Sequence, residues 1–311
     1  MPRVGLSRPD VPIAVLVFDG VRLLDVTGPL EVFDVAAELG TGYVVTMCSP
    51  DGRDITTSSG LRLGVDQAAA DMTGVDTLVV PGGECLVKPG ANAELLTSIR
   101  HLARGARRVT SVCAGAFALG AAGMLDGRRA TTHWRHADTL QERYPAVEVD
   151  PEAIYVRDGR VLTSAGVSSG IDLALALVEE DAGDILAHEI ARELVVFMRR
   201  RGAQPQLSVP ARTPRPRRDI VRALCDEVAA DPAGDHCLTS MAQRAGLSTR
   251  HLSRLFKEGT GQTPATYVAA VRREAAIALV MSGETVAAAA RRSGLGSDET
   301  LRRHLRAQPD D

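Results

Sequence analysis

Two hydrophobic rhythms divide this chain. Between residues 11 and 198 short continuous apolar runs alternate with stretches whose apolar positions recur every three or four residues, and beyond that region only the second rhythm persists. Pro12 to Phe18 is apolar throughout, as a strand covered on both faces must be, and Tyr43 to Cys48, Thr77 to Val80, Val109 to Val112 and Val161 to Thr163 are predicted as further strands. Helices are predicted for Leu24 to Leu39, where Val26, Leu30, Phe33 and Ala37 share one side, and near Ala93 to Ala103, Gly115 to Leu125, Ser169 to Glu179 and Ile185 to Met198. This strand-helix alternation predicts an α/β domain over residues 11–198, a mostly parallel sheet with helices on its faces. Ligands in such folds bind at the carboxyl ends of the strands.

Residues 219–311 predict an all-α domain with two helix-turn-helix units. In the first, Leu238, Met241, Ala242 and Ala245 recur at helical spacing, Gly246 makes the turn, and Ser248 caps a helix that buries Leu252, Leu255 and Phe256. The opposite face carries Thr249, Arg250, Ser253, Arg254 and Lys257, donors suited to guanine edges and phosphates. The second unit repeats the plan with Val286, Ala289 and Ala290, the turn Gly294-Leu295-Gly296, and Ser297 capping Asp298 to Arg306. A helix from Thr263-Pro264 to Ser282-Gly283 joins them, and at 1.5 Å per residue it is roughly 28 Å long, near the ~34 Å of one DNA turn.

Between the domains, residues 199–218 hold Gln-Pro-Gln, Val-Pro and Thr-Pro-Arg-Pro, which forbid a continuous helix and predict an extended tether whose arginines also reach DNA. Charge splits along the same line: from Arg215 onward 15 Lys and Arg face 12 Asp and Glu, whereas the preceding residues hold 21 against 27. The five cysteines are far apart with no C-x-x-C spacing, so neither disulfides nor a metal site is expected, and no cofactor is implied. No apolar run approaches the ~18 residues of a membrane span and no signal-peptide core opens the chain, so a cytoplasmic protein is expected.

Two strand ends carry candidate chemistry. Leu78-Val-Val-Pro-Gly-Gly runs into a turn where Gly82 and Gly83 present bare backbone N–H groups to an anion or carbonyl oxygen. Val109-Thr-Ser-Val-Cys-Ala-Gly breaks sharply into a small-residue helix with Cys113 at the elbow, followed by Ala114; a helix N-terminus there is expected to lower the thiol pKa. Cys48 and Cys225, on a predicted strand and helix, are expected in cores.

The strings L-S-T-R-H-L-S-R-L-F-K and G-Q-T-P-A-T-Y resemble the AraC family of transcriptional regulators. The resemblance implies base-reading positions at Arg250, Ser253 and Arg254 in the first unit and at Asp298, Glu299, Arg302 and Arg303 in the second; Asp298 and Glu299 suit either cytosine N4 or a solvated helix cap. After Arg306, Ala-Gln-Pro-Asp-Asp stands where the family continues into a second G-x-x-P-x-x-Y segment, so a weakly anchored final helix is expected. The strings V-F-D-G-V-R-L-L-D-V-T-G-P-L-E-V-F, V-V-P-G-G, S-V-C-A-G-A, G-R-R-A-T-T-H-W and T-S-A-G-V-S-S-G-I-D resemble the ThiJ/PfpI superfamily, in particular the sensor domain of GlxA-type regulators. That resemblance implies a flavodoxin-like sandwich related to class I glutamine amidotransferases, with a site built from Cys113, Asp25 and His133. Superfamily enzymes place histidine or a hydroxyl residue directly after the cysteine, where this chain has Ala114.

The combined reading is a transcription regulator, not an enzyme, that binds double-stranded promoter DNA, senses a small-molecule effector through its first domain and forms a homodimer. The alternative is a cysteine-dependent hydratase or hydrolase with a DNA-binding appendage, Cys113 being the nucleophile. A third reading, a redox sensor, shares the first one's output and signals through oxidation of Cys113.

Overall fold

A computed structural model describes residues 9–306 apart from 89, 91 and 198. It divides into two compact units after Gln206.

The first unit is the expected α/β sandwich. Its seven-stranded sheet comprises β1 (Val11–Leu16), β2 (Tyr43–Ser49), β3 (Gln67–Ala68), β4 (Thr77–Val80), β5 (Arg108–Val112), β6 (Tyr155–Asp158) and β7 (Val161–Ser164), in the order β6-β7-β5-β4-β1-β2-β3. Only the β6–β7 pair is antiparallel. Helices α1 (Leu23–Glu38), α2 (Ala93–Ala103), α3 (Gly115–Ala121), α4 (Ser169–Ala182) and α5 (Asp184–Glu193) cover it. Every residue of β4, β5 and β7 is buried, so those segments show no alternation of buried and exposed positions, and their polar residues Thr77, Arg108, Thr110, Ser111, Thr163 and Ser164 are buried with the apolar ones. The chain reverses direction of winding at β1, with β2 on one side and β4 on the other, so a crevice opens where the β1 and β4 loops diverge.

The opposite, amino-terminal end of the sheet is pinned by charge. Arg108 on β5 is fully buried and bonds Thr77 Oγ1 at 3.1 Å, while its guanidinium meets Asp181 on α4. Arg107 bonds the same carboxylate at 2.8 Å and Tyr43 donates to it at 2.8 Å. Burial alone would raise Asp181, but these donors hold its carboxyl at about 2.

The second unit contains α6 (Asp219–Ala230), α7 (Leu238–Arg244), α8 (Thr249–Thr260), α9 (Pro264–Met281), α10 (Val286–Arg292) and α11 (Asp298–Arg306). Its apolar interior is split. One cluster runs from Val209 through Leu224, Met241 and Phe256 to Val271; the other gathers Ala276, Ala289, Ala290 and Leu301. Residues 307–311, including the substituted tail, lie outside the described residues, as does Met198 at the predicted end of α5, whose helix stops at Glu193.

The segment 199–218 departs from the expected tether. Arg200 forks onto Asp172 of α4, with Nε at 3.0 Å and Nη2 at 2.6 Å, and Ile154 donates to Gly202 O at 2.9 Å. Residues 199–206 therefore belong to the first unit. After them Ser208 caps a four-residue helix, Val209–Arg212, whose first N–H bonds Glu274 on α9 at 2.6 Å. Proline does exclude a long helix here, but it leaves the carbonyls and side chains free to bond neighbouring structure.

Candidate ligand cavity and nucleic-acid interface

Four loops meet at the carboxyl ends of the central strands. The loop after β1 brings Arg22 and, one turn into α1, Asp25; the loop after β4 brings Gly82, Gly83 and Glu84; the elbow after β5 brings Cys113 and Ala114; the loop after β7 brings Val167. Asp25 is fully buried and accepts from Val167 N at 2.9 Å and from Gly82 N at 3.2 Å, so one carboxylate ties three of these loops together.

Cys113 adopts φ +57°, a conformation costly for any side chain but glycine, which marks the strained elbow read from the sequence. Its N–H bonds Ser164 O at 2.9 Å and its carbonyl accepts from Thr132 Oγ1 at 2.8 Å, which together hold the strain in place. Space around it is tight: a Cβ on Gly166 would lie 2.1 Å from Cys113 Cβ. The surroundings of the thiol oppose its ionisation. Burial pushes the thiol up to about 12, and the neighbouring Asp25 carboxylate adds to the rise. The expected lowering by a helix N-terminus is outweighed by the burial of the elbow. Asp25 is itself raised, again chiefly by burial, against the pull of the Val167 N–H and Arg22.

Beside the elbow lies a cavity of about 140 Å³ lined by Arg22, Gly83, Glu84, Cys113, Ala114, His133, Arg135 and His136. Of the six sequence-predicted ligand residues, Gly83, Cys113, Ala114 and His133 face it; Asp25 and Gly82 stand behind it as supports. His133 lies outside the strands. It caps a short 3₁₀ turn, Trp134–His136, with Nδ1 accepting from Arg135 N at 3.3 Å, which leaves the ring proton on Nε2. Burial first, then the neighbouring His136, Arg135 and Arg22, lowers its pKa, so the ring is neutral near pH 7.

Arg22, Glu84, Arg135 and His136 are lining residues that the sequence reading missed. His136 Nε2 sits 3.4 Å from Glu84 Oε2. The signal available was H-W-R-H, whose two histidines three residues apart share one side of a tight turn. Gln206 fixes that turn: its Oε1 accepts from Trp134 N at 2.9 Å while Nε2 donates to the carbonyls of Thr132, Pro151 and Ala153 at 2.9, 3.1 and 3.2 Å.

In the second unit, Ser248 Oγ accepts from His251 N at 3.2 Å and starts α8. Thr249, Arg250, Arg254 and Lys257 are exposed and Ser253 is half-buried, opposite the buried Leu252, Leu255 and Phe256. Arg254 pairs with Glu258 at 3.1 Å. On α11, Glu299, Arg302 and Arg303 are exposed, and half-buried Asp298 pairs with Arg302 at 3.1 Å, a helix-start carboxylate with a partner one turn on. Among the described residues no helix is long and apolar enough to cross a membrane.

Comparison with known proteins falls along the same two units. Residues 11–180 match the DJ-1/PfpI family and residues 241–308 match a helix-turn-helix domain. An isonitrile hydratase of Pseudomonas putida is 40% identical over 55% of this chain and 72% of its own length. The HTH-type transcriptional regulator GlxA of Rhizobium meliloti is 31% identical over 70% of this chain and 68% of its own. An AraC family transcriptional regulator from Pseudomonas putida superposes with a TM-score of 0.54 at 27% identity, covering 59% of this chain and 99% of that one.

Proposed function

We propose, from the premise that this chain belongs to the DJ-1/PfpI family and is a DNA-binding transcription regulator of the GlxA type, that its first unit is a receptor for a small effector and performs no turnover. The observation that carries the reading is the state of the elbow. A nucleophilic cysteine needs a thiolate and a proton-handling neighbour. Here the thiol is pushed up to about 12 and the next side chain is the methyl group of Ala114.

What remains is a binding site. Arg22, Arg135, the neutral His133, Gly83 and Ala114 line the cavity, with Glu84 as the acid among its lining residues. These donors suit a small molecule with an acidic group, and about 140 Å³ is well below the ~300–1,000 Å³ of drug-sized sites. Thr249, Arg250, Ser253, Arg254 and Lys257 would read one DNA segment and Asp298, Glu299, Arg302 and Arg303 a second. A cytoplasmic homodimer would place two such readers on a symmetric or repeated operator.

The likeness to isonitrile hydratase favours a second reading, cysteine-dependent hydration. Incubating the full-length protein with a simple alkyl isonitrile separates the two. We expect no amide product; steady-state formation abolished by Cys113→Ser would overturn the receptor reading. In parallel, a thermal-shift screen of small carboxylates should find ligands whose stabilisation is lost in Arg135→Ala.

A further inference from the structure

The two helix-turn-helix units have separate apolar cores, and the break between them falls on α9 between Val271 and Ala276. Apolar packing therefore holds each unit to its own half of α9 and leaves their mutual angle to be set by something else. Arg272 sits at the break. Its Nε donates to Pro232 O at 2.8 Å and its Nη2 to Gly234 O at 2.8 Å, so the guanidinium forks onto the loop between α6 and α7, which leads into the first helix-turn-helix. That loop is stiff in its own right: His236 Nε2 is 2.7 Å from Asp231 O, and Arg244 Nη1 donates to Asp235 O at 2.9 Å.

The second helix-turn-helix closes on the same loop from the other side. Gly294, in the turn between α10 and α11, has φ +71°, and a Cβ there would stand 2.8 Å from Ala233 Cα and 3.1 Å from Arg272 Nε. Glycine is required twice over, for the left-handed turn and for the close backbone approach.

We infer that Arg272, the Pro232–Gly234 loop and Gly294 form a clamp that fixes the separation and rotation of α8 and α11, and so sets which spacing between two DNA half-sites the protein accepts. Arg272 is a positioning residue. Its cation faces carbonyls of its own chain, and α9, roughly 27 Å long at 1.5 Å per residue, gives any change of angle at the clamp a long arm. Each base pair inserted between half-sites moves the second by about 3.4 Å and turns it by about 35°. A rigid pair of readers does not follow such a change; a loosened pair does.

This inference rests on both recognition helices entering DNA, and the test separates the two. A duplex selected from a random library by the full-length protein is remade with one or two base pairs inserted or removed between its half-sites, and also cut to the half-site read by α8. Wild type should lose about tenfold in affinity per base pair of mis-spacing, about 1.4 kcal/mol. Arg272→Met should bind the half-site probe as wild type does, bind the optimal duplex more weakly, and show a flattened spacing profile. Arg272→Lys should behave like Arg272→Met, because lysine keeps the charge but lacks the fork. Gly294→Ala opens the clamp from its other side and serves if Arg272→Met does not fold. Wild type without any spacing optimum would overturn the two-helix reading; variants with the wild-type optimum and sharpness would overturn the clamp alone. Equal losses on half-site and full-site probes, restored by lysine, would make Arg272 a phosphate contact instead.

Discussion

Gly82 donates its N–H to Asp25 at 3.2 Å, and a Cβ on Gly82 would stand 2.7 Å from Asp25 Oδ2, the oxygen that accepts that bond. The same Cβ would lie 2.6 Å from Ala114 N and 2.8 Å from Cys113 Cβ. None of these neighbours can withdraw, because Asp25 is held by Val167 and the other two atoms belong to the strained elbow. Gly82→Ala should therefore destabilise the first unit by about 1–3 kcal/mol, as overpacked cores do, visible as a lower urea midpoint at unchanged slope. A midpoint within error of wild type would show that the loops are softer than this geometry implies.

Labelling of the cysteines should follow exposure rather than the elbow motif. Cys85 and Cys237 are exposed, whereas Cys113 is buried with its thiol pushed up to about 12. Mass spectrometry after iodoacetamide treatment at pH 7.5 should find Cys85 and Cys237 modified first and Cys113 among the last, with its rate still climbing above pH 9. Rapid labelling of Cys113 at neutral pH would contradict the buried-thiol geometry and revive the nucleophilic and redox readings.

The strands and long helices were legible because burial on both faces and amphipathic periodicity are written directly in composition: Thr77–Val80 and Ala93–Ala103 match their expected limits, and Gly115–Ala121 ends four residues before the predicted Leu125. The antiparallel edge β6, Tyr155–Asp158, was not, since Arg157 and Asp158 belong to an edge that packing covers on one side only. The cavity was half legible. Glycine turns and an elbow cysteine announce themselves, but Arg22, Glu84, Arg135 and His136 come from irregular loops or short turns where no period states which way a side chain points. The prolines around Gln206 suggested a tether for the same reason: a proline pattern reports lost helix, while the partners of the remaining polar groups are set by tertiary structure.

Asp181 predicts an acid limit to stability. Its carboxyl is held at about 2, against 3.8 for the free group, so its contribution is complete above about pH 5 and is lost as pH falls through the interval from 4 to 2. The full effect is about 2 kcal/mol, with roughly half gone by pH 3. Urea denaturation of wild type and Asp181→Asn at pH 6 and pH 3 should show the gap between them narrowing by about 1 kcal/mol. A constant gap would show that Arg107, Arg108 and Tyr43 do not act through this ionisation.

Arg254 is exposed on α8 and tied, among the described residues, to Glu258, an exposed pair worth little. Arg254→Ala should leave thermal stability unchanged, weaken binding to a selected duplex by about 1–3 kcal/mol and relax preference at one base pair. An equal loss on all sequences, with a smaller salt slope, would assign it to phosphate.

Gln206 is the last residue of the first compact unit, and both polar ends of its side chain are engaged by the turn that carries His133 and its neighbours. In mechanical terms there is no backlash between Gln206 and that turn. If the proposed effector shifts Trp134 when it fills the cavity, the bonds of Gln206 would carry that shift into its own backbone. Inserting Gly-Ser-Gly-Ser after Gln206 should leave effector affinity and DNA affinity each intact while the effect of one on the other disappears, a free-energy coupling lost without loss of either site.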